Sequence, residues 1–442
     1  MRSKANVSCY RVLASKRDLQ DRCAPACITG VTQMAVGGGG YGQLVLRATA
    51  TCGGRTCDSG VKRLMTVVAR RFEGALLADM MFWGNADVPV DHERAFELAS
   101  AGADMGCAYS KGVLGCCYVY ASGVAVDRAK GLALGRESAA AGSCTGQFVV
   151  GYCHYAGWGV AQDYAEAARL WRLAAEQGHA IAQFNLGLLV ELGQGVKHDY
   201  AEAERLNRLA ADQGVPQAQY HLGHVFYRGD GVGQDVTEAA RLWRLAADQG
   251  FAEAQFSLGL LFLLGDGVGQ DVAEAARLWR LAADQGDADA QYNLGLMFYR
   301  GDGVGQDVTE AARLWRLAAD QGVAEAQYNL GLLFYNGQAV AQDVTEAARL
   351  WRLAGEQGNL RAQCNLGTMF ARGESVAQDN AEAERWWRLA AEQGDAEAQF
   401  NLGILFDAVE DRAQAVRWFR LAATQGHAGA AAALCLLERV DA

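Results

Sequence analysis

From residue 235 onward the chain alternates two kinds of apolar pattern. In the first, Ala239, Leu242, Trp243 and Ala246 recur at i, i+3, i+4 and i+7, a single stripe on a helix, while Arg241, Arg244 and Asp248 fall outside it. Asp235, followed three residues later by Glu238, reads as an Asp-x-x-Glu capping box that satisfies the first amides and sets negative charge at the positive helix end. Gly250 supplies the left-handed residue that stops this helix. The second pattern, roughly Ala252 to Leu264, is apolar almost all round through Ala254, Phe256, Leu258 and Leu260 to Leu263, which predicts a helix held between neighbours. In an equivalent helix Pro216 occupies the first turn, where a missing N–H costs nothing. Gly259 sits in the middle of the second helix and recurs at 187, 223, 295, 331, 367 and 403. A mid-helix glycine costs about 1 kcal/mol relative to alanine, so its repetition points to close approach by another helix.

The two patterns form one unit that repeats. Gln-Gly falls at 177–178, 213–214, 249–250, 285–286, 321–322, 357–358 and 393–394, every interval being 36 residues. Residues 229–250 recur unchanged at 301–322, and 265–286 differs only by Ala273 in place of Thr. Residues 115–142 still match the pattern with Gly135 in the tryptophan position, and a more decayed unit runs from Gly74 through Trp83 and Phe96 to Gly102. The step from Gly394 to Gly426 is 32 residues, so the last inter-helix loop is shorter. The expected organisation is an N-terminal arm, weakly ordered or unassigned, over 1–66, degenerate repeats over 67–142, regular repeats over 143–426, and a C-terminal closing helix within 427–442, around Ala430 to Glu438. A hairpin that cannot bury its own faces must stack on its neighbours, which predicts an all-α, right-handed α-solenoid of tandem 36-residue helix-turn-helix repeats.

Ala-Gln-Phe/Tyr-Asn-Leu-Gly at 182–187, 290–295 and 326–331 is followed by an aromatic residue, a Gly-x-Gly-Val turn, Gln-Asp, Trp-Arg-Leu-Ala-Ala and Gln-Gly. This string resembles the Sel-1-like repeat family, a relative of the tetratricopeptide repeats, over about residues 70–440. The resemblance implies a non-enzymatic scaffold that holds proteins together, as in adaptor subunits of ER-associated ubiquitin ligases, activators of chitin synthases and bacterial host-interaction factors. Some members carry paired cysteines in each repeat and were linked to penicillin binding or hydrolysis. This chain lacks those pairs, so that role does not carry over.

Charge and cysteine usage narrow the partner and the compartment. A net charge of −11 repels phosphate backbones and argues for a protein or peptide partner rather than nucleic acid. Arg11, Lys16, Arg17 and Asp18 interrupt the N-terminal stretch before a signal-peptide core can form, and no apolar window reaches membrane-spanning length. A cytoplasmic protein without membrane insertion is the resulting expectation, with a secreted or host-directed effector that activates a partner enzyme, such as a synthase, as the alternative. Lysine is absent beyond Lys197, which suits an adaptor near a ubiquitin ligase, although arginine-biased coding explains it as well. Cys117 and Cys153 are 36 residues apart, in the place that Leu189, Leu261 and Leu333 fill later, and read as core thiols.

No catalytic constellation emerges, and neither an enzyme nor a cofactor is expected. The loop Gly-Asp-Gly-Val-Gly-Gln-Asp at 229–235 follows a helix rather than a strand and carries two acids, so it reads as a turn with a helix cap, not a phosphate cradle or a calcium loop. Cys23, Cys27, Cys52 and Cys57 have looser spacing than zinc knuckles and are taken as ordinary thiols. His221 and His224, at i, i+3, read as surface or groove histidines rather than metal ligands, and the tryptophans as packing anchors.

One wall of the second helices is the candidate for recognition. At ~100° per residue, positions equivalent to 253, 257 and 264 cluster within about 40° of one another. The 257 column reads Asn185, His221, Ser257, Asn293, Asn329, Asn365 and Asn401, and the 264 column includes Arg228, Arg300, Asn336 and Arg372. An asparagine ladder presents donor and acceptor to an extended backbone, and arginines add carboxylate or phosphate contacts. The competing reading is that each Asn bonds locally to a neighbouring turn. Glu253, Asp289, Glu325, Arg361 and Glu397 vary in sign beside them.

Overall fold

The computed structural model describes residues 74–83, 90–374 and 376–439, together with the two-residue strands Thr51–Cys52 and Arg55–Thr56, which pair antiparallel. Cys23, Cys27 and Cys57, read above as ordinary thiols, lie outside the described residues. Everything else described is helix and short loop, an all-α solenoid of tandem hairpins. The chain divides between Gln249 and Gly250 into two compact units, each a stack of helix pairs.

Two helix types alternate, each 13 residues long in the regular repeats. Tryptophan helices run over Tyr164–Glu176, Tyr200–Asp212 and Val236–Asp248 in the first unit, and over Val272–Asp284, Val308–Asp320, Val344–Glu356 and Asn380–Glu392 in the second. Glycine helices run over Cys144–Ala156, Ala180–Leu192 and Pro216–Arg228, then over Ala252–Leu264, Ala288–Arg300, Ala324–Asn336, Leu360–Arg372 and Ala396–Ala408. The closing helix spans Ala428–Arg439.

The start of each tryptophan helix differs from a full capping box in one respect. Asp235 accepts from the Glu238 amide at 3.0 Å as expected. Glu238 does not reach back, because the Asp235 amide already donates to the Phe226 carbonyl at 2.9 Å. The freed carboxylate instead takes Nε and Nη2 of Arg241, both at 2.7 Å. The preceding glycine helix therefore supplies half of the cap, which ties loop length to the hairpin geometry.

The mid-helix glycines are explained by what lies over them. A Cβ on Gly259 would stand 2.6 Å from Nε1 of Trp279, and on Gly295 it would stand 2.7 Å from Trp315. The indole turns its Cδ1–Nε1 edge to the bare backbone and donates Nε1–H to the carbonyl three residues before the glycine, Phe256 at 3.0 Å and Tyr292 at 3.2 Å. One side chain thus fills the slot, satisfies its own polar atom and fixes the axial register of the hairpin. The glycine helix is accordingly paired with the tryptophan helix that follows it, so the hairpin starts one helix later than the pattern beginning at Asp235 suggests.

A second polar device joins successive hairpins. Gln291, Gln327, Gln363 and Gln399 are buried in Ala-Gln pairs, and each donates Nε2 eight residues back, to the carbonyls of Ala283, Ala319, Gly355 and Ala391 at 2.8 to 3.1 Å. Each also accepts from the glutamine of a later Gln-Gly, 30 residues ahead for the first three, as in Gln357 to Gln327 at 2.9 Å. Leaving such an amide unpaired costs about 1–3 kcal/mol. Cys117 and Cys153 are fully buried, as their core register requires.

Candidate partner-binding wall

The wall is built from glycine helices, whose apolar stripe faces the tryptophan helices and whose other side carries the Asn column. In the second unit Asn293, Asn329, Asn365 and Asn401 are all half-buried, while Ser257 is buried. Their partners follow an offset of 37 residues, so each amide meets the residue just before the equivalent position in the preceding repeat. Asn329 acts on the Tyr292 hydroxyl and Asn365 on the Tyr328 hydroxyl, each holding that phenol's pKa down, and Asn401 Nδ2 lies 3.9 Å from Cys364 Sγ. Asn293 instead donates Nδ2 to the Asp289 carbonyl of its own helix at 2.8 Å.

Burial pushes both phenols above their ordinary pKa. For Tyr292 the Glu325 carboxylate adds to that rise, while Asn329 and the charges of Arg300 and Arg361 oppose it. Arg361 and Asn365 oppose the rise at Tyr328. These influences place Arg300, Glu325, Asn329, Arg361 and Asn365 around two tyrosine rings, a mixed donor, acceptor and aromatic surface. Arg300 and Asn336 are exposed at the ends of their helices, and Arg372 is exposed 3.4 Å from Glu374. Glu374 also accepts from the Tyr335 hydroxyl at 2.8 Å. Leu260 and Leu264 are exposed on the same helix type, so the surface alternates polar and apolar positions.

In the first unit the column changes character. Asn185 is half-buried on Ala180–Leu192. His221 is spent locally, with Nε2 3.2 Å from Glu191 Oε2 and Nδ1 3.4 Å from Asn207 Nδ2. His224 packs on the rings of Tyr220 and Trp243. Among the described residues no three His, Cys, Asp or Glu side chains are placed to hold a metal ion, and no helix is long and apolar enough to cross a membrane.

Sequence reasoning picked out the Asn column but missed the tyrosines it leans on and the glutamine pairs behind it. The signal for both was present as identity at a fixed offset, 37 residues for Asn and Tyr and 30 for Gln and Gln, rather than at the repeat length itself.

Comparisons with known proteins agree with this architecture. The pattern of the Sel1 repeat matches ten times in tandem, over 75–107, 113–143, 145–179, 180–215, 216–251, 252–287, 288–323, 324–359, 360–395 and 396–427. Each regular match begins at a glycine helix, the phase that the hairpin contacts show. Among solved structures, c5321, a protective antigen present in uropathogenic Escherichia coli strains, is 36% identical with a TM-score of 0.69, covering 77% of this chain and 73% of its own. A Sel1 repeat protein from Oxalobacter formigenes is 34% identical with a TM-score of 0.50, covering 68% of this chain and 87% of its own. No curated protein sequence matches.

Proposed function

Since the chain belongs to the Sel1 repeat family, whose solenoids are in general protein–protein interaction scaffolds, we propose that it is a non-enzymatic scaffold that binds an extended segment or helix of a protein partner along the glycine-helix wall of residues 252–408. The observation that carries this reading is the half-exposed Asn–Tyr series, flanked by Arg300, Arg361 and exposed leucines, repeating from hairpin to hairpin. A half-buried amide side chain offers donor and acceptor capacity for a peptide backbone. Arginine reads carboxylates and the leucines take apolar side chains. Asn329, Asn365 and Arg300 are the central contacts in this reading, with Asn293, Asn336, Arg372 and Asn401 extending it, and Asn185 and His221 belong to the other unit.

The setting is a finer proposal. An adaptor in a ubiquitin-ligase or signalling complex accords with the lysine-free chain beyond residue 197. A host-directed effector or regulator is favoured by the likeness to the Escherichia coli protective antigen.

Affinity capture with the full chain is compared with capture by the same chain carrying Asn293→Ala, Asn329→Ala and Asn365→Ala, after circular dichroism shows equal helicity. The expected result is loss of a specific protein that the native chain retains. Identical capture by both would remove the wall from the function and return the asparagines to bracing the tyrosines.

A further inference from the structure

Residues 74–83 form the first described helix and pack against the glycine helix Ala108–Tyr120. Ala78 and Phe82 are buried in one core with Val113, Cys116, Cys117 and Phe148. Into this apolar seam the first helix sends a carboxyl, that of Asp79. The Tyr109 hydroxyl donates to Asp79 Oδ2 at 2.8 Å, and Trp83 acts on the same carboxyl from its own helix. The Asp79 charge in turn pushes the Cys116 and Cys117 thiols up. On the neighbouring helix His92–Asp104, His92 packs edge-on against Phe82 with ring centroids 5.6 Å apart. Among the described residues no Lys, Arg or His side chain is paired with Asp79.

A carboxylate in such a seam has a hydroxyl to answer its charge, and thiols and rings that do not. Ionisation there is far less favourable than in water, because neither a cation nor solvent replaces the lost hydration. The neutral carboxyl is satisfied by the Tyr109 hydroxyl and suits the seam. Burial accordingly raises the Asp79 pKa from 3.8 to about 6, with Tyr109 and Trp83 opposing the rise. Because the folded value stands above the unfolded one, the contribution of the neutral form is whole below pH 3.8 and is lost as the pH rises through 6.

We propose that Asp79 is an acid-set latch on the first helix: residues 74–83 stay seated on Ala108–Tyr120 while the carboxyl keeps its proton, and lift more often once that proton has passed to water. Lifting uncovers the Cys116 and Cys117 thiols and the Tyr120 and Phe148 rings, an apolar end of the first unit that Phe82 and Trp83 otherwise cover. Tyr109, Cys116, Cys117 and Tyr120 of one neighbouring helix and His92 of the other are the further titratable groups that face residues 74–83. All of them are retained in Asp79→Asn, which isolates the carboxyl. The latch belongs to the first unit, so it stands whether or not the wall of residues 252–408 binds a partner.

The test is hydrogen exchange of the full chain, read by mass spectrometry between pH 4 and 7, with each rate divided by that of Asp79→Asn at the same pH to cancel the intrinsic pH dependence of exchange. Within 74–83 that ratio is expected to rise on the order of 50-fold from pH 4 to pH 7, the gain in opening that a carboxyl moving from about 6 to 3.8 supplies. Peptides from 288–336 should hold a constant ratio. Modification of Cys116 and Cys117 by 4,4′-dithiodipyridine, expressed as the same ratio, should quicken over the same window. Tyr109→Phe, which removes the hydroxyl donor, should exchange faster than the native chain over 74–83, and by a larger factor at pH 7 than at pH 4; this comparison decides the matter even where Asp79→Asn alters the fold. A ratio over 74–83 that is flat with pH, an equal rise along the whole chain, or a Tyr109→Phe effect of the same size at both pH values would overturn the proposal.

Discussion

The near-identical repeats of residues 265–322 and the decayed ones before residue 156 solve the same packing problem with different side chains. In the former the Trp315 indole meets Gly295 and holds the hairpin by one part-buried hydrogen bond to the Tyr292 carbonyl. In the latter Gly135 stands where the tryptophan would be, and a Cβ on Gly115 would come 3.0 Å from the Gly131 carbonyl, so two bare backbones approach directly. Val149 closes over the gap, and rings of Trp83, Tyr120, Tyr152 and Trp158 crowd the adjoining face. The backbone path survives because caps and small residues set it, while the filling is exchangeable as long as the volume is matched. The decayed region also buries ionisable groups that the regular one lacks. Burial raises the Asp79 carboxyl to about 6 although the Tyr109 hydroxyl donates to it at 2.8 Å, and it pushes the Cys116 thiol up as well.

Trp315→Ala is the strongest way to separate the two solutions. Removing the indole from a backbone slot that nothing else fills is expected to cost ~3–5 kcal/mol in urea unfolding. Val149→Ala should cost visibly less in the same measurement, and equal losses would mean that the two slots are equivalent.

The next effect is a pH dependence at His179, which lies in the chain between the two regions and acts in the opposite sense to Asp79. His179 stacks on Phe148 with ring centroids 4.7 Å apart, and its Nδ1 accepts the Ala182 amide at 3.2 Å, so it must be neutral to cap its helix. Burial lowers its pKa from 6.5 to about 4. The unfolded chain takes up the proton first, so a contribution fully present above pH 6.5 is lost as pH falls toward 4, by roughly 3 kcal/mol. Asn359 caps the equivalent helix through Oδ1 at 3.0 Å. His179→Asn should therefore keep the cap and flatten this part of the stability profile measured by denaturation between pH 4 and 7; an unchanged profile would place the titration elsewhere.

Gln327→Leu probes the link between hairpins. It removes one bond from the Ala319 carbonyl, which keeps the Gly322 amide, and one from the Gln357 amide, which keeps the Leu353 carbonyl, so a loss of ~0.5–1.5 kcal/mol is expected, with hydrogen exchange quickening in the flanking helices more than elsewhere. Uniform quickening along the chain would show that the glutamines are not local ties. Arg313→Ala, by contrast, removes only an exposed i, i+3 pair with Glu310, and its cost should stay at ~0.2–0.5 kcal/mol, vanishing in high salt.

Much of this was legible in the chain. The period, the Asp caps and the left-handed glycine stops are local devices that read the same in any context, and they set limits such as the start at Val236 after Asp235 and the stop at Leu264 before Gly265. The Asn column was legible as a column, but its role was not, because Asn293 bonds within its own helix while Asn401 reaches Cys364 of the preceding repeat. The meaning of Glu191, Asn207 and His221 was also hidden, since they stand 16 and 14 residues apart and look like unrelated changes until the fold joins them.

The sequence by itself determined which segments are helices, where they stop and how often the hairpin recurs, because capping, turn and periodicity depend on neighbours within a few residues. Only the tertiary structure decided which helix a glycine faces, which glutamine a glutamine meets, and whether a buried polar group is satisfied. Those depend on contacts 20 to 37 residues apart whose partners chain order alone does not select, and packing chose the pairing that fills each slot.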